Sequence, residues 1–273
     1  MDLQLTGASA WELFCKVKET GPLIQCITNF VSMDIMANML LAAGASPAMA
    51  HSREEAAEFV RLASAVLINV GTLSPEWTDS MRATATAARE LGKPWVLDPV
   101  GAGATTFRTQ TILSLVDLKP TLIRGNASEV MAVAGGVGTV RGVDSTASAV
   151  EALSLGKDLA RRVGCVVAIS GATDLVTDGH RVVACRNGTP LLTKVTATGC
   201  AVTALAAAFI ACAPHDPLTA TAHALAVFGL AAELAAREAR GPASLRVGLL
   251  DALYSVKQSQ VCENVLLNEA NDT

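Results

Sequence analysis

The stretch WVLDPVGAG, residues 95–103, places a short aliphatic run directly before an aspartate, a proline and two glycines. The run is too short for a helix and does not alternate, which is typical of a strand buried on both faces of a parallel sheet. Pro99 disfavours a helical backbone at Asp98, so the carboxylate is expected at an extended strand end. The glycines allow close approach of the backbone to another group. An ordinary turn from strand to helix is the alternative.

Four similar aliphatic runs lie on either side of this stretch, each bounded by Gly, Pro or Asn. They are Leu23–Thr28, Ala65–Val70, Thr121–Ile123 and Cys165–Ser170. Helical periodicity separates them: it predicts one helix with Asn29 as its N-cap, one over Glu54–Leu62 and one over Glu76–Leu91. Alternating strands and helices predict an α/β architecture with right-handed crossovers.

The second half of the chain departs from this alternation. Leu175–Thr177 and Arg181–Cys185, joined through Asp178-Gly179, predict a β-hairpin, which fits the edge of a parallel sheet. Three alanine-rich helices are predicted after the hairpin: Cys200–Cys212, Leu218–Arg237 and Ser244–Val256. The last dozen residues are expected to be frayed. No linker or repeat interrupts the chain, so we expect a single domain over residues 1–273, with helices on both faces of a mostly parallel sheet.

The composition excludes several classes of protein. Of the 273 residues, 51% are hydrophobic and only 17% are charged, against roughly 25% charged in an average globular protein. Intrinsic disorder is therefore excluded. A net charge of −4 without a Lys/Arg block argues against nucleic acid as a partner. The apolar stretch from Gly199 to Pro214 is shorter than the roughly 20 residues of a membrane span, so we predict a buried helix and no membrane association.

The cysteines and the N-terminus indicate the cellular setting. The seven cysteines show no C-x-x-C spacing, so they are interpreted mainly as small core residues in a reducing, cytoplasmic setting. Asp2 and Glu12 stand where a signal or transit peptide would be basic or apolar, so no targeting segment is predicted.

Polar residues follow the other predicted strands as well. Arg124 is suited to phosphate oxygens, and Glu129 with Asp98 could hold Mg²⁺, directly or through its waters. The alternative for Arg124 and Glu129 is a surface ion pair at a helix start. Ser170 could bind phosphate or simply cap the next turn.

Cys200 opens the apolar helix, where backbone N–H groups form an anion hole and the helix dipole lowers the pKa of a thiol. The alternatives are a buried structural cysteine or a cysteine nucleophile with a partner base, although the four histidines show no local signature of such a base. Neither a dinucleotide fingerprint nor a Walker P-loop is present: Thr106 stands where the former needs glycine, and Pro94 and Asp158 follow the Gly-Lys pairs. Together the residues indicate phosphoryl transfer by a fold without a P-loop.

Six ordered motifs resemble the hydroxyethylthiazole kinase family over roughly residues 20–256: ITNFV (27–31), GASPAM (44–49), NVGTL (69–73), DPVGAG (98–103), IRGNASE (123–129) and TGC (198–200). The resemblance implies a three-layer ribokinase-like fold. It also implies transfer of the ATP γ-phosphoryl group to the primary alcohol of 4-methyl-5-(2-hydroxyethyl)thiazole in thiamine salvage. Ribokinase-like enzymes usually carry an aspartate base at the anion hole, where this family and this chain have cysteine.

The resemblance also implies roles for individual residues. Expected contacts with ATP come from Arg124, Ser170, Asn126 and Thr196, and Mg²⁺ is expected at Asp98 and Glu129. Gly199 would form the anion hole, with Cys200 beside the reacting hydroxyl. The thiazole pocket would comprise Met49, Asn29, Ala197, Gly71 and Thr72, the last two from a neighbouring subunit of a homotrimer. Two positions depart from the family pattern: Ser170 is more often threonine, and Ala197 stands where glycine is expected, which restricts positive φ.

Cys200 can replace a carboxylate base because phosphoryl transfer makes modest demands on a base and relies on positioning and charge stabilisation. We therefore expect it to accept or orient the hydroxyl proton, and to be helpful rather than essential. Two alternative functions remain. One is a related kinase for another alcohol, such as hydroxymethylpyrimidine or a sugar. The other is a non-kinase relative, such as a nucleotide lyase or an inactive thiazole-binding protein.

Overall fold

The computed structural model describes residues 3–135 and 147–270. Its described strands are β1 Leu23–Ile27, β2 Ser46–Ala48, β3 Ala65–Asn69, β4 Trp95–Asp98, β5 Leu122–Asn126, β6 Val166–Ser170, β7 Asp174–Thr177, β8 Val182–Cys185 and β9 Leu267–Glu269. They form one sheet in the order β2-β1-β3-β4-β5-β6-β7-β8-β9. The first six strands in that order are parallel, and the last three add antiparallel pairings. The mostly parallel α/β fold predicted from the sequence is confirmed.

Helices connect these strands through the described ranges. They are α1 Gly7–Thr20, α2 Met33–Ala42, α3 Ala56–Phe59, α4 Pro75–Glu90, α5 Thr106–Val116, α6 Ala127–Gly135, α7 Ala147–Val163, α8 Thr198–Cys212, α9 Pro217–Glu238, α10 Pro242–Ser255 and α11 Gln258–Asn264. A short 3₁₀ turn covers Pro190–Lys194.

Two hydrophobic clusters, one on each face of the sheet, make the fold three-layered. Successive residues of β3 alternate between them: Leu67 packs in the first cluster, and Val66 and Ile68 pack in the second. The first cluster contains α1, α2 and α8 to α11, and the second contains α3 to α7. Side chains of a strand point alternately to opposite faces. Strands that are apolar throughout are therefore covered by helices on both sides.

The end of the chain was expected to be frayed, but residues 262–270 contain the end of α11 and β9, and residues 271–273 lie outside the described residues. The Asn187 side chain donates to the carbonyl of Asn264 at 2.9 Å and accepts the N–H of Leu266 at 2.7 Å. These bonds place β9 on the outer side of β8. The predicted hairpin, β7 and β8, is present, but β9 and not the hairpin forms this edge of the sheet.

Two helix predictions were wrong at their boundaries. Asn29 does not cap α2: its Oδ1 accepts the N–H groups of Val31 and Ser32, and the helix begins at Met33. This local turn competes with helical hydrogen bonding, as asparagine side chains commonly do. The helix predicted over Glu54–Leu62 is only the four residues of α3.

Of the helices in the described part of the chain, α9 is long and apolar enough to cross a membrane by length and composition. Most of it is buried inside the protein, where it packs against α8 and α10. The Gly199–Pro214 stretch forms α8, whose residues are also largely buried, so the predicted buried helix is confirmed. These two adjacent core helices therefore contribute part of the apolar composition noted in the sequence.

Candidate active site

The carboxyl ends of β3, β4 and β5 meet the N-terminus of α8 at one edge of the sheet. Asn69 and Asp98 are the last residues of adjacent strands and lie opposite each other in the register. Arg124, from the next strand, reaches the start of α8, where its Nη1 donates to the Gly199 carbonyl at 2.9 Å. Parallel α/β sheets bind ligands at this edge. The structure thus brings together the predicted Asp98, Arg124 and Gly199.

Asp98 is a buried carboxylate held by two neutral donors. Asn69 Nδ2 donates to its Oδ2 at 2.7 Å, and Thr203 Oγ1 donates to the same oxygen at 3.2 Å. Burial raises the pKa of Asp98 to about 6, with a smaller contribution from the charge of Glu129, whereas Arg124 lowers it. Asp98 therefore carries a charge at neutral pH that its surroundings only partly compensate.

Arg124 combines one strong contact with one unused donor. Besides the Gly199 carbonyl, its Nη1 contacts Thr203 Oγ1 at 3.5 Å. Its Nε is buried and has no hydrogen-bond partner in the structure. An unpartnered buried donor is costly, because it loses water without a replacement. A guanidinium held in this way is suited to an anionic oxygen.

Glu129 uses both carboxylate oxygens to hold backbone. Its Oε1 accepts the N–H of Gly101 at 2.8 Å, and its Oε2 accepts the N–H of Asn126 at 2.9 Å. It therefore ties the glycine-containing turn after β4 to the start of α6. The alternative of an Arg124–Glu129 ion pair is not found among the salt bridges of the described residues.

The N-terminus of α8 is reached through a strained backbone. Ala197 adopts φ 63° and ψ 9°, the left-handed conformation that normally favours glycine. The methyl group at this position therefore does not prevent the turn. The turn aligns the first N–H groups of the helix at the site edge, where they form an anion-binding end.

Cys200 lies on the first turn of α8 and is a neutral thiol. Asn69 Nδ2 donates to its Sγ at 3.2 Å, and Asn29 Nδ2 donates to the same sulfur at 3.6 Å. Burial and the negative charge of Asp98 raise the pKa of Cys200 to about 11, outweighing the lowering by both amides and by Arg124. The net pKa is therefore raised, mainly by desolvation, whereas the position at a helix N-terminus was expected to lower it.

A cavity of about 530 Å³ opens beside Arg124, between the strand ends and α9. The predicted residues Arg124, Ser170 and Gly199 line it. Asp174 also lines it, and burial raises the pKa of this carboxylate while Arg124 lowers it. Cavities of a few hundred Å³ hold small-molecule ligands. A second cavity of about 680 Å³, between α9, α10 and α11, contains none of the predicted site residues.

The remaining predicted ATP contacts, Asn126 and Thr196, are exposed and do not line the cavity. Asn126 Oδ1 accepts the N–H of Glu129 and the hydroxyl of Ser128, so it caps the start of α6. Ser170 Oγ donates to the Gly125 carbonyl at 3.2 Å.

Of the predicted thiazole residues, Gly71 and Thr72 lie against the segment at Asn29. An added Cβ at Gly71 would lie 2.6 Å from the Asn29 side chain, so only glycine permits this approach. Thr72 Oγ1 accepts the N–H of Phe30 at 3.2 Å. Both contacts are made within one chain, and the contribution of Gly71 and Thr72 to a neighbouring subunit's pocket stays a prediction. Met49 follows β2 at the same edge, and its carbonyl accepts a hydrogen bond from the His51 ring at 2.6 Å.

Within the described residues, no group of three or more His, Cys, Asp or Glu side chains is arranged to hold a metal ion. Any metal at this edge would therefore rely on Asp98 and Glu129 together with oxygens of a ligand or water, which is how Mg²⁺ is commonly held.

Sequence reasoning assigned no role to Asn69 or Thr203, although both contact Asp98. Asn69 is the last residue of β3 and lies opposite Asp98 on the neighbouring strand. The rule that ligands bind at the carboxyl ends of parallel strands could therefore have identified it. Thr203 lies one helical turn after Gly199, whose carbonyl it also contacts at 2.9 Å. Residues four apart share a helix face, which is the available signal for Thr203.

This architecture is shared with a ribokinase-like superfamily protein from Enterococcus faecalis: the TM-score is 0.60 at 12% identity, covering 90% of this chain and 89% of that one. The chain therefore has a ribokinase-like fold. The model of the hydroxyethylthiazole kinase family matches residues 14–259, and the chain belongs to that family.

Individual relatives agree with this assignment. The hydroxyethylthiazole kinase of Zea mays is 51% identical over 266 residues, which cover 96% of this chain and 94% of the relative. The solved structure of the hydroxyethylthiazole kinase from Pyrococcus horikoshii OT3 has a TM-score of 0.88 and 44% identity, covering 96% of this chain and 99% of that one.

Proposed function

We propose that the protein transfers the γ-phosphoryl group of ATP to the primary alcohol of 4-methyl-5-(2-hydroxyethyl)thiazole, as a step of thiamine salvage. The observation that carries the proposal is the contact between Arg124 and the Gly199 carbonyl, which sets a cation beside the N-terminus of α8 and next to Cys200. This arrangement combines a phosphate-binding end with a neutral group for the acceptor. The family membership supports the choice of alcohol.

ATP binds in the cavity beside Arg124, lined by Ser170 and Gly199. Arg124 lines this cavity, so its guanidinium is placed to meet a phosphate oxygen. The first N–H groups of α8 bind the charge that develops on the transferred phosphoryl group. Preorganised donors of this kind supply most of the stabilisation in phosphoryl transfer.

Mg²⁺ is the cofactor, held by Asp98 and Glu129 with the phosphates. Their fit rests on charge: burial and Glu129 together raise the pKa of Asp98, so a cation near both carboxylates offsets an existing cost. When bound, Mg²⁺ neutralises phosphate charge. Glu129 additionally keeps the Gly101 turn in place through its Oε1.

The thiazole alcohol binds beside Asn29, within reach of the Cys200 thiol. Because the pKa of Cys200 is about 11, the sulfur is protonated at neutral pH and acts by orienting the hydroxyl group, and the proton of that hydroxyl passes to an oxygen of the transferred phosphoryl group. Its loss therefore lowers the rate without abolishing it. The modest need for a base in a loose transition state allows this.

The protein assembles as a homotrimer in the cytoplasm. Phe30 and Val31 expose 72% and 59% of their surfaces beside Asn29, so a neighbouring copy that covers them would also complete the thiazole pocket. All seven cysteines are free thiols, which suits a reducing compartment.

The test is ADP release by the purified protein with MgATP, with and without the thiazole alcohol. Release that needs both Mg²⁺ and the thiazole alcohol, accompanied by formation of the thiazole phosphate, supports the proposal. Hydroxymethylpyrimidine serves as the comparison alcohol. If the pyrimidine alcohol stimulates ADP release and the thiazole alcohol does not, the substrate assignment is contradicted. If ADP release is the same with and without either alcohol, the kinase mechanism is contradicted.

A further inference from the structure

The amide of Asn69 has only one orientation that satisfies its neighbours. Its Oδ1 accepts the N–H of Gly71 at 3.0 Å, and a backbone N–H only donates. Its Nδ2 therefore faces Asp98 Oδ2 at 2.7 Å and Cys200 Sγ at 3.2 Å. The Nδ2 group of Asn29 completes the set by donating to Asn69 Oδ1 at 2.8 Å. Two donors and two acceptor positions of this fully buried amide are all used.

The orientation of Asn29 is fixed in the same way. Its Oδ1 accepts the N–H groups of Val31 and Ser32, both at 3.0 Å. Its Nδ2 must then face the interior of the site, where it reaches Asn69 and the sulfur of Cys200. Two amide N–H groups therefore converge on one sulfur, which is the acceptor in both contacts.

We propose that Asn69 is a positioning residue for phosphoryl transfer, which holds the Cys200 thiol in register with the Asp98 carboxylate. Because the sulfur accepts from two amides, its own S–H is the group that contacts the substrate hydroxyl oxygen. Asn69 thus connects the groups that face the phosphates to those that face the alcohol, without touching either substrate. This role rests on the proposed function, since it concerns the same reaction.

Thr177, which is buried to the same extent as Asn69, serves as the control for the purely structural effect of losing buried hydrogen bonds. Thr177 has no exposed surface, donates through its Oγ1 to the Arg181 carbonyl at 2.8 Å and accepts the N–H of Gly179 at 3.0 Å. It ends β7 at the opposite end from Asp174, which lines the cavity. Thr177→Val removes buried hydrogen bonds far from the site and is expected to lower stability without changing kcat.

The central experiment is a double-mutant cycle of Asn69→Asp and Cys200→Ala. Asn69→Asp keeps the shape and the acceptor for Gly71, removes both N–H donors and places a second carboxylate against Asp98, whereas Asn69→Ala removes the donors without adding a charge and is run through the same cycle. We expect it to lower kcat about tenfold, with KM for ATP changed less than about twofold. In the Cys200→Ala background the same substitution costs only about threefold, the remainder reflecting the contact with Asp98. Equal losses in both backgrounds overturn the proposal, as does a kcat equal to that of Thr177→Val.

A second measurement does not depend on turnover. In protein labelled with ¹³C at the cysteine Cβ, the Cys200 resonance is assigned by its absence in Cys200→Ala. It is expected to shift in Asn69→Asp and in Asn69→Ala, and to stay in place in Thr177→Val. An unshifted Cys200 resonance in both Asn69 variants contradicts the positioning role. If the wild-type protein phosphorylates no thiazole alcohol, the proposed function fails, whereas the resonance still reports on the contact itself.

Discussion

The two halves of the site differ in how their polar groups are satisfied. On the phosphate half, Arg124 has a buried donor without a partner, and burial raises the pKa of Asp98 to about 6. On the alcohol half, Asn29 and Asn69 are neutral and fully hydrogen-bonded around the Cys200 sulfur. The buried polar groups of the phosphate half cost free energy as long as no ligand or cation is bound. The polar groups of the alcohol half are already hydrogen-bonded to one another. Charge stabilisation should therefore dominate the rate, and positioning should modulate it.

Removal of the charge of Asp98 tests whether charge dominates the phosphate half, and it is expected to have the largest effect. Asp98→Asn retains an oxygen for Asn69 and Thr203 but cannot balance a cation. We expect kcat/KM for MgATP to fall at least about a hundredfold, because a preorganised charge at the phosphates is lost. Steady-state ADP release over a range of Mg²⁺ concentrations measures it. Activity within tenfold of the unmodified protein would refute the assigned role.

The same variant also tests the charge of Asp98 through the free energy of unfolding. The folded-state pKa of Asp98, about 6, exceeds its ordinary 3.8, so the folded chain loses stability as pH rises through this range. Above pH 6, Asp98→Asn should stabilise the fold by about 3 kcal/mol, with the gain vanishing towards pH 4. Urea unfolding at pH 4.5, 6 and 8 gives the profile. A gain that is independent of pH would contradict the buried, ionised carboxylate.

Gly71→Ala disturbs only the alcohol half. The new Cβ would lie 2.6 Å from the Asn29 side chain and push it out of place. We expect KM for the thiazole alcohol to rise about tenfold, while KM for ATP stays within about twofold, because misplacement affects one substrate. Gly241→Ala is the control, since an added Cβ there meets no atom within 4 Å and the backbone at Gly241 is extended, with φ 167°. Equal changes in both KM values would show that the halves are not separable.

The smallest effect is expected at Ala197. Its φ of 63° is strained for alanine, so Ala197→Gly should raise stability by up to about 1 kcal/mol and leave kcat nearly unchanged. Thermal unfolding and ADP release measure the two quantities. A loss of stability would show that the methyl group packs favourably enough to outweigh the strain.

The sequence predicted the parts of the site that follow one rule, namely that charged groups end buried parallel strands. Asp98 obeys it as the last residue of β4, whereas Arg124 is the middle residue of β5, which continues to Asn126. Gly199 lies in the first turn of α8, a helix that is apolar enough to be identified as buried. Asn69 ends a strand as well, but a neutral amide carries no chemical signal until its partners are known. Its partners come from segments 40, 29 and 131 residues away, which pattern reasoning does not bring together.

The fold was also predictable from the buried strands and apolar helices. The exceptions are short segments and segments whose structure depends on residues distant in sequence. β2 and β9 are three residues each and lack a hydrophobic period, so only pairing with β1 and β8 defines them. The order of the tail depends on Asn187, a residue distant in sequence. The pKa of Cys200 is raised mainly by burial and by the charge of Asp98, and both depend on tertiary packing that the local sequence does not show.

The most direct test compares Arg124→Ala with Cys200→Ala in the same assay of thiazole-dependent ADP release. We expect Cys200→Ala to lower kcat/KM about tenfold and Arg124→Ala to lower it at least about a hundredfold, since charge stabilisation outweighs proton handling here. Circular dichroism confirms that both variants are folded. Complete inactivation by Cys200→Ala with unchanged binding of both substrates, or a smaller loss for Arg124→Ala, would contradict the account.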